Sequence, residues 1–176
     1  LESLAKPSEN AKRLYPRILY GRSTELINDG RLAEADALLD KALKDPNNGS
    51  VLPLLNFWKG ELAYRNNKID EAIKFYNAYV SGGSPTSGEA NPANASYNLG
   101  YCYLRKENYP VALTFFEPLG RNPSLSSSSF VQDAYIRTAD CYFMQKDYAK
   151  AKTHYDNVIK FSWPAEDYAT FQIAML

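Results

Sequence analysis

The stretch that decides the fold is SYNLGYCYLRKENYPVALTFFEPLGRNP (96–123), because the same pattern returns as YIRTADCYFMQKDYAKAKTHYDNVIKFSWP (135–164). Two more copies lie upstream, NFWKGELAYRNNKIDEAIKFYNAYV (56–80) and LYGRSTELINDGRLAEADALLDKALKDP (19–46). Self-similarity at a fixed period is the signature of a repeat architecture. We therefore predict that copies of one structural unit stack along the chain.

Each copy contains two small residues twelve positions apart. Two helices approach closely only where one of them presents little side chain, so these positions predict the packing of a helix pair. Turn residues lie between the two small residues, and apolar residues recur at helical spacing after the turn. The small pairs are Ser23 and Ala35, Gly60 and Ala72, Gly100 and Ala112, and Ala139 and Ala151.

The repeats predict nine helices in a single domain that spans residues 1–176. Stretches rich in Pro, Ser and Gly at 81–92 and 122–129 are predicted to be loops between repeats and not domain linkers. The helix pairs are expected near 16–28/31–44, 51–65/68–81, 93–105/109–119 and 130–144/147–160. The corresponding repeats are about 16–46, 51–81, 93–123 and 130–163, with a partial fifth at 165–176.

These residues resemble the tetratricopeptide repeat family over nearly all of residues 16–176. The third repeat follows the family pattern most closely, whereas the second departs from it with Lys59 before the glycine. The resemblance implies an all-α fold, a right-handed α-α superhelix (a solenoid) of four helical hairpins plus a partial fifth. The matching residues of the third repeat are Leu99, Gly100, Tyr103, Ala112, Phe116 and Pro123.

A narrower resemblance concerns the loops and helix signatures of the repeats. A loop with Pro and Ser precedes an A-Y-x-x-A/G-x-C/Y-Y helix and a D-Y-x-x-A helix, which is similar to bacterial cell-envelope proteins of the Tol-Pal coordinator and outer-membrane assembly lipoprotein type. This resemblance favours the periplasm or cell envelope over the cytoplasm. The chain begins LESLAKPSEN, without an initiator Met, so we expect it to be a fragment of a longer protein.

The family resemblance implies a non-enzymatic scaffold that binds a peptide segment or helix of a partner protein in its concave groove. An alternative for each aromatic groove residue is packing in the core. The family's chaperone-docking members hold a carboxylate with Lys and Asn, and this chain lacks both at those positions, so chaperone co-factor activity is not expected. The predicted groove residues are Phe57, Glu61, Tyr64, Tyr97, Tyr101, Leu104, Asp133, Ile136, Asp140 and Phe143.

Catalytic and metal chemistry have little support in the sequence, and no cofactor is expected. His154 is the only histidine, which excludes His-based triads and multi-histidine metal sites. Cys102 and Cys141 occupy the same position in adjacent repeats and are predicted to be small core residues. Asp133 and Asp140 share a helix face, but a solvated or peptide-contacting role is a better explanation than acid–base catalysis.

The overall charge argues against two classes of partner. Lys plus Arg and Asp plus Glu both total 20, which argues against binding nucleic acid or an anionic membrane surface. No apolar run reaches the length of a transmembrane helix.

Two other classes of function remain open alternatives. One is a structural module that self-associates within a larger bacterial envelope assembly protein, and the other is a regulatory domain cut from an enzyme or transcriptional regulator. A solenoid end without a polar capping helix tends to self-associate. We therefore expect the C-terminal half-repeat to pack against a second copy of the chain, or against residues missing from it, through Phe171, Ile173, Met175 and Leu176. The alternative is that the last helix folds back and covers the fourth repeat by itself.

Overall fold

A computed structural model describes residues 6–121 and 128–176. In these residues the chain forms nine α-helices, and the only β-type pairing is an isolated bridge between Ser87 and Ala90. The all-α repeat fold is therefore confirmed. The helices are α1 (Glu9–Asn28), α2 (Leu32–Lys44), α3 (Leu52–Arg65), α4 (Ile69–Ser81), α5 (Pro92–Arg105), α6 (Tyr109–Leu119), α7 (Ser129–Met144), α8 (Tyr148–Lys160) and α9 (Glu166–Ala174).

The described helices form two compact units. One consists of the residues up to Ala95, which we call the N-terminal half, and the other of the residues from Ser96, the C-terminal half. Sequential helices pack against each other within each half, including α1 with α2 and α7 with α8. A single domain over the whole chain stays a prediction.

The first helix begins earlier than the sequence suggested. We predicted a start near residue 16, whereas α1 begins at Glu9 and includes Pro16 in its interior. The Oγ atom of Ser8 accepts a hydrogen bond from the backbone N–H of Ala11 at 3.2 Å, so Ser8 is the N-cap. The prediction was wrong at this end because the helix continues through a buried proline that more often marks a first turn.

The same turn joins the two helices of every hairpin. One residue per turn has a positive φ: 75° at Gly30, 59° at Asn67, 57° at Glu107 and 64° at Lys146. The next backbone N–H returns to the last helical turn, as from Arg31 to the carbonyl of Leu26 at 2.8 Å. This is the Schellman arrangement, in which a left-handed residue ends the helix.

The glycines of the second and third repeats make room for a large ring. A Cβ atom on Gly100 would lie 2.8 Å from the ring of Phe116, and one on Gly60 would lie 2.9 Å from the ring of Tyr76. Both rings are fully buried, and each follows the second small residue of its repeat by four positions. The predicted burial of Gly100 and Ala112 is confirmed, and the contact that requires the glycine is with the ring.

An ion pair explains the departure of the second repeat from the family pattern. The Lys59 side chain is 10% exposed, and its Nζ atom lies 2.6 Å from Oδ1 of Asp36 and 2.8 Å from Oδ1 of Asp40 on α2. It also lies 5.7 Å from the centre of the Phe75 ring. A charge in this position therefore has two counter-charges and an aromatic neighbour.

The cysteines are buried, as the sequence predicted, and the histidine lies among aromatic rings. Cys102 and Cys141 are fully buried, and burial raises the pKa of the Cys141 thiol to about 12. His154 is half-buried between the rings of Tyr135 and Tyr142, with ring-centre distances of 4.6 and 5.4 Å.

Candidate protein-binding surface

The predicted groove residues are divided between the two halves, and two of them are core residues. Phe57 is 2% exposed, and its ring contacts those of Tyr76 and Tyr79 edge-on at 5.7 and 5.3 Å. Ile136 is 5% exposed and lies in the core around α7 and α8. A groove position does not fit these two, because both side chains are packed in the core and have almost no exposed surface.

The other predicted groove residues of the N-terminal half keep exposed surface. Glu61 and Tyr64 are half-buried on α3. The Glu61 carboxylate pairs with Arg65 at 2.7 Å and accepts a hydrogen bond from the Tyr76 hydroxyl at 3.0 Å. Glu61 is therefore held in place on the helix.

In the C-terminal half, the predicted residues of α5 and α7 are joined by hydrogen bonds. The Tyr97 and Tyr101 hydroxyls both donate to Oδ2 of Asp133, at 2.7 and 2.5 Å. The two tyrosine rings lie 4.9 Å apart, and the Phe130 ring is 4.6 Å from Tyr97. These contacts fix two phenol rings of α5 against one carboxylate of α7.

The second carboxylate of α7 collects three donors from three helices. The Tyr155 and Tyr168 hydroxyls donate to Oδ1 of Asp140 at 2.7 and 2.9 Å. The Arg137 guanidinium donates to Oδ2 of Asp140 at 2.6 Å and to Oδ1 of Asp133 at 3.3 Å. Arg137 thus bridges the two aspartates. We call this set the tyrosine–aspartate cluster: Tyr97, Tyr101, Asp133, Arg137, Asp140, Tyr155 and Tyr168.

The sequence predicted that Asp133 and Asp140 share a helix face, but it did not predict their contacts with Arg137, Tyr155 and Tyr168. A sequence signal for Arg137 existed, because residues four and three positions apart on a helix are neighbours and opposite charges there form pairs. No comparable signal exists for Tyr155 on α8 or Tyr168 on α9, since their contact with Asp140 depends on tertiary packing.

Burial sets the protonation state of the cluster. It raises the pKa values of Tyr97 and Tyr168 to about 12, aided by their hydrogen bonds to Asp133 and Asp140, so both phenols are neutral donors at neutral pH. Burial also raises the pKa of Asp140 above its usual range, despite the opposing effect of its donors. The cluster is therefore a fixed polar framework, and no metal-binding group of His, Cys, Asp or Glu occurs in residues 6–121 and 128–176.

Part of the cluster remains open to solvent. Asp133, Arg137 and Asp140 are partly exposed, and Tyr168 is exposed on α9. Leu104 and Phe143, the remaining predicted groove residues of this half, are half-buried apolar side chains. The C-terminal half therefore presents charged, phenolic and apolar groups on the same helices.

None of the helices in the described residues combines the length and the apolar character needed to cross a bilayer.

The family comparison then gives the identity of the repeats. Two family models, both described as tetratricopeptide repeat, match residues 20–92 and residues 133–161, which together are more than half of the chain. No curated protein matches the chain in sequence.

Neither match indicates a catalytic family, and tetratricopeptide repeats generally mediate protein–protein interactions. The two matches also agree with the fold, because the matched residues include the left-handed turns at Gly30, Asn67 and Lys146 that join the helices of three hairpins. Residues 20–92 and 133–161 of this chain therefore belong to the tetratricopeptide repeat family.

Proposed function

We propose that the chain is a non-enzymatic scaffold whose C-terminal half binds a peptide segment or helix of a partner protein. The proposed contacts are the first helices of the repeats, α5 and α7. The observation that supports this site is the partly exposed tyrosine–aspartate cluster. The half-buried side chains of Leu104 and Phe143 follow Tyr101 and Asp140 by three positions, so they lie on the same helix faces. In the N-terminal half we propose Glu61 and Tyr64 as partner contacts.

The charge of the cluster favours a particular kind of segment. Two carboxylates, Asp133 and Asp140, face a single guanidinium, that of Arg137, so one negative charge is left uncompensated. Phenol rings also attract cations to their faces, as Tyr168 does with the Arg137 guanidinium at 5.8 Å. We therefore propose a segment that carries apolar side chains and at least one Lys or Arg.

Preorganisation supports the same site. Each aspartate has donors that fix its rotamer, and the donors come from α5, α8 and α9 as well as from α7 itself. Side chains that are already ordered lose little entropy when a partner binds. Binding of a partner to the cluster should therefore cost little side-chain entropy.

The test is selection of peptides from a random phage-displayed library on the full chain, followed by affinity measurements with the peptides recovered. Phe143→Ser should weaken binding about tenfold or more, because it removes an apolar contact beside the cluster. Met144→Ser is the matched control, since the adjacent Met144 is exposed and is not a proposed contact; it should change the affinity less than twofold.

The recovered sequences provide the second readout. They should be enriched in apolar residues together with Lys or Arg. Recovery of no peptide at all, or of peptides that bind both serine variants as well as the unmodified chain, would contradict the proposed site.

Exposed side chains near the C-terminus favour self-association as a second candidate function. On and just after α9, Phe171 is 61% and Met175 is 60% exposed, whereas Ile173 packs against the core. We propose that these side chains form a homodimer contact. Multi-angle light scattering should then show a dimer at high concentration, and Phe171→Ser with Met175→Ser should return it to the monomer. A monomer at every concentration would exclude this candidate.

A location in the bacterial cell envelope, and with it an envelope-assembly role, stays a prediction of the sequence resemblance. Fractionation of cells that express the native gene, followed by immunodetection of the protein, tests it directly. Detection in the cytoplasmic fraction alone would refute that location.

A further inference from the structure

The N-terminal half contains a cleft of about 490 Å³ that the proposed function does not use. It lies between α1 and the segment that connects α2 to α3. The α1 wall includes Arg13, Leu14 and Arg17, and the opposite wall includes Asn47 and Ser50. All five residues are exposed.

The cleft has a local positive charge in a chain of zero net charge. Residues 6–17 contain four basic side chains, Lys6, Lys12, Arg13 and Arg17, and one acidic side chain, Glu9. Glu9 is paired with Lys12 at 2.7 Å. Arg13 and Arg17 are four positions apart on α1, so both guanidinium groups project from the same helix face.

The two arginines of the cleft differ in their ion pairing from other arginines on the described helices and turns. Within residues 6–121 and 128–176, neither Arg13 nor Arg17 is in an ion pair. Other arginines have a carboxylate one helical turn away, at distances of 2.5 to 2.7 Å. These pairs are Arg22 with Glu25, Arg31 with Glu34, Arg65 with Glu61 and Arg137 with Asp140.

The remaining groups around the cleft suit a peptide better than a simple anion. Leu14 is 43% exposed inside the cleft, and Ile18 is 58% exposed one turn further along α1. The nearby carboxylate of Asp45 does not line the cleft, and its Oδ1 atom accepts the backbone N–H of Asn47 at 2.8 Å. A guanidinium pair beside exposed apolar side chains is complementary to carboxylates spaced along an apolar segment.

We propose that this cleft binds an acidic peptide segment of a partner protein. Asp or Glu side chains of that segment contact Arg13 and Arg17, and an apolar side chain covers Leu14. The site is distinct in residues and in charge preference from the tyrosine–aspartate cluster. The chain thus offers two binding sites of opposite preference.

Fluorescence anisotropy with the full chain tests the proposal. The probe is a fluorescein-labelled nonapeptide of repeating Glu-Glu-Leu, and its charge-reversed counterpart is repeating Lys-Lys-Leu. Arg13→Gln with Arg17→Gln should weaken binding of the acidic probe about tenfold, since two exposed charge contacts are lost. Leu14→Ser should weaken it about threefold, because less apolar surface is buried.

The matched control is Lys74→Gln with Lys160→Gln, which removes the same charge at exposed lysines outside the cleft. It should change the affinity less than twofold. Thermal melts should show that all variants remain folded, because the substituted side chains are exposed. Binding of the acidic probe should also weaken with added salt.

Three results would overturn the proposal. The first is equal binding of the acidic probe by the arginine variant and the lysine variant. The second is full competition by inorganic phosphate at matched ionic strength together with no effect of Leu14→Ser, which would show a simple anion site. The third is loss of self-association in the arginine variant, which would identify a second copy of this chain as the occupant.

Discussion

The Nζ atom of Lys59 lies 2.6 Å from Oδ1 of Asp36. This ion pair accommodates a lysine at a position where the family pattern has an apolar residue. We predict that Asp36→Asn with Asp40→Asn lowers the free energy of unfolding by about 1–2 kcal/mol, because a mostly buried ammonium loses both counter-charges. Adding Lys59→Met should restore most of this loss, since the charge is then gone as well. Urea unfolding at pH 7 measures all three, and an unchanged midpoint in the Asn variant would contradict the prediction.

The same lysine should make stability depend on alkaline pH. Burial is the largest influence on Lys59 and acts to lower its pKa, but hydrogen bonds and charges from Asp36 and Asp40 together raise the pKa. A raised pKa stabilises the fold fully below the unfolded-state value of about 10.4, and the stabilisation is lost as the pH rises through the folded-state value. The difference in unfolding free energy between the unmodified chain and Lys59→Met should therefore shrink above about pH 10.4.

Glycine positions in the helices should respond in opposite directions to the same substitution. Gly100→Ala should lower the unfolding free energy by about 1–3 kcal/mol, because the new Cβ would lie 2.8 Å from the Phe116 ring. The larger Gly100→Leu should cost at least as much. Gly21→Ala is the control: a Cβ there meets nothing within 4 Å, so the gain of about 0.5–1 kcal/mol in helix propensity should dominate. Thermal melts that shift in the same direction for the two alanine variants would refute this account.

The left-handed turn predicts a stabilising substitution. Glu107 has a φ of 57° at the position where the first hairpin has glycine. Glu107→Gly should raise the unfolding free energy by up to about 1 kcal/mol, because glycine has no Cβ to strain there. Gly30→Ala should lower it by about 1 kcal/mol at the equivalent site, where φ is 75°. The urea midpoint should rise for Glu107→Gly and fall for Gly30→Ala. A lower midpoint for Glu107→Gly would contradict the expected backbone strain at Glu107.

The raised pKa of Asp140 predicts that the stability of the fold depends on pH in the acid range. Because burial raises its pKa, this carboxyl group stabilises the fold fully below the unfolded-state value of about 3.9, and this contribution is lost as the pH rises through the folded-state value. The unmodified chain should therefore lose stability relative to Asp140→Asn as the pH rises from about 3.9 through the folded-state pKa of Asp140. The opposite slope would mean that Arg137 and the tyrosine donors outweigh burial.

Much of the fold was predictable from the sequence because the repeat specifies local structure. The boundaries of α2 to α8 agree with the predicted pairs to about one residue. A left-handed turn follows the small residue of each first helix by seven positions, as at Gly60 and Asn67, and it ends that helix in every hairpin. The beginning of α1 was missed because Ser8, its N-cap, lies before the repeat pattern begins.

The candidate site was only partly predictable, since repeat position gives the face of a helix but not the depth of burial. Phe57 and Ile136 occupy groove positions of the family and are nevertheless core residues. Asp133 and Asp140 were placed on a common face, yet their partners Tyr97, Tyr155 and Tyr168 come from other helices. Such contacts depend on tertiary packing, which a single sequence does not record.

The two buried cysteines give the C-terminal half its own unfolding sensors. Cys102 and Cys141 have no exposed surface, and a thiol with a pKa of about 12 forms almost no reactive thiolate at neutral pH. A thiol reagent can therefore modify Cys141 only after α7 has opened. The labelling rate of each cysteine, followed by mass spectrometry, would thus report how often its helix unfolds while the rest of the chain stays native.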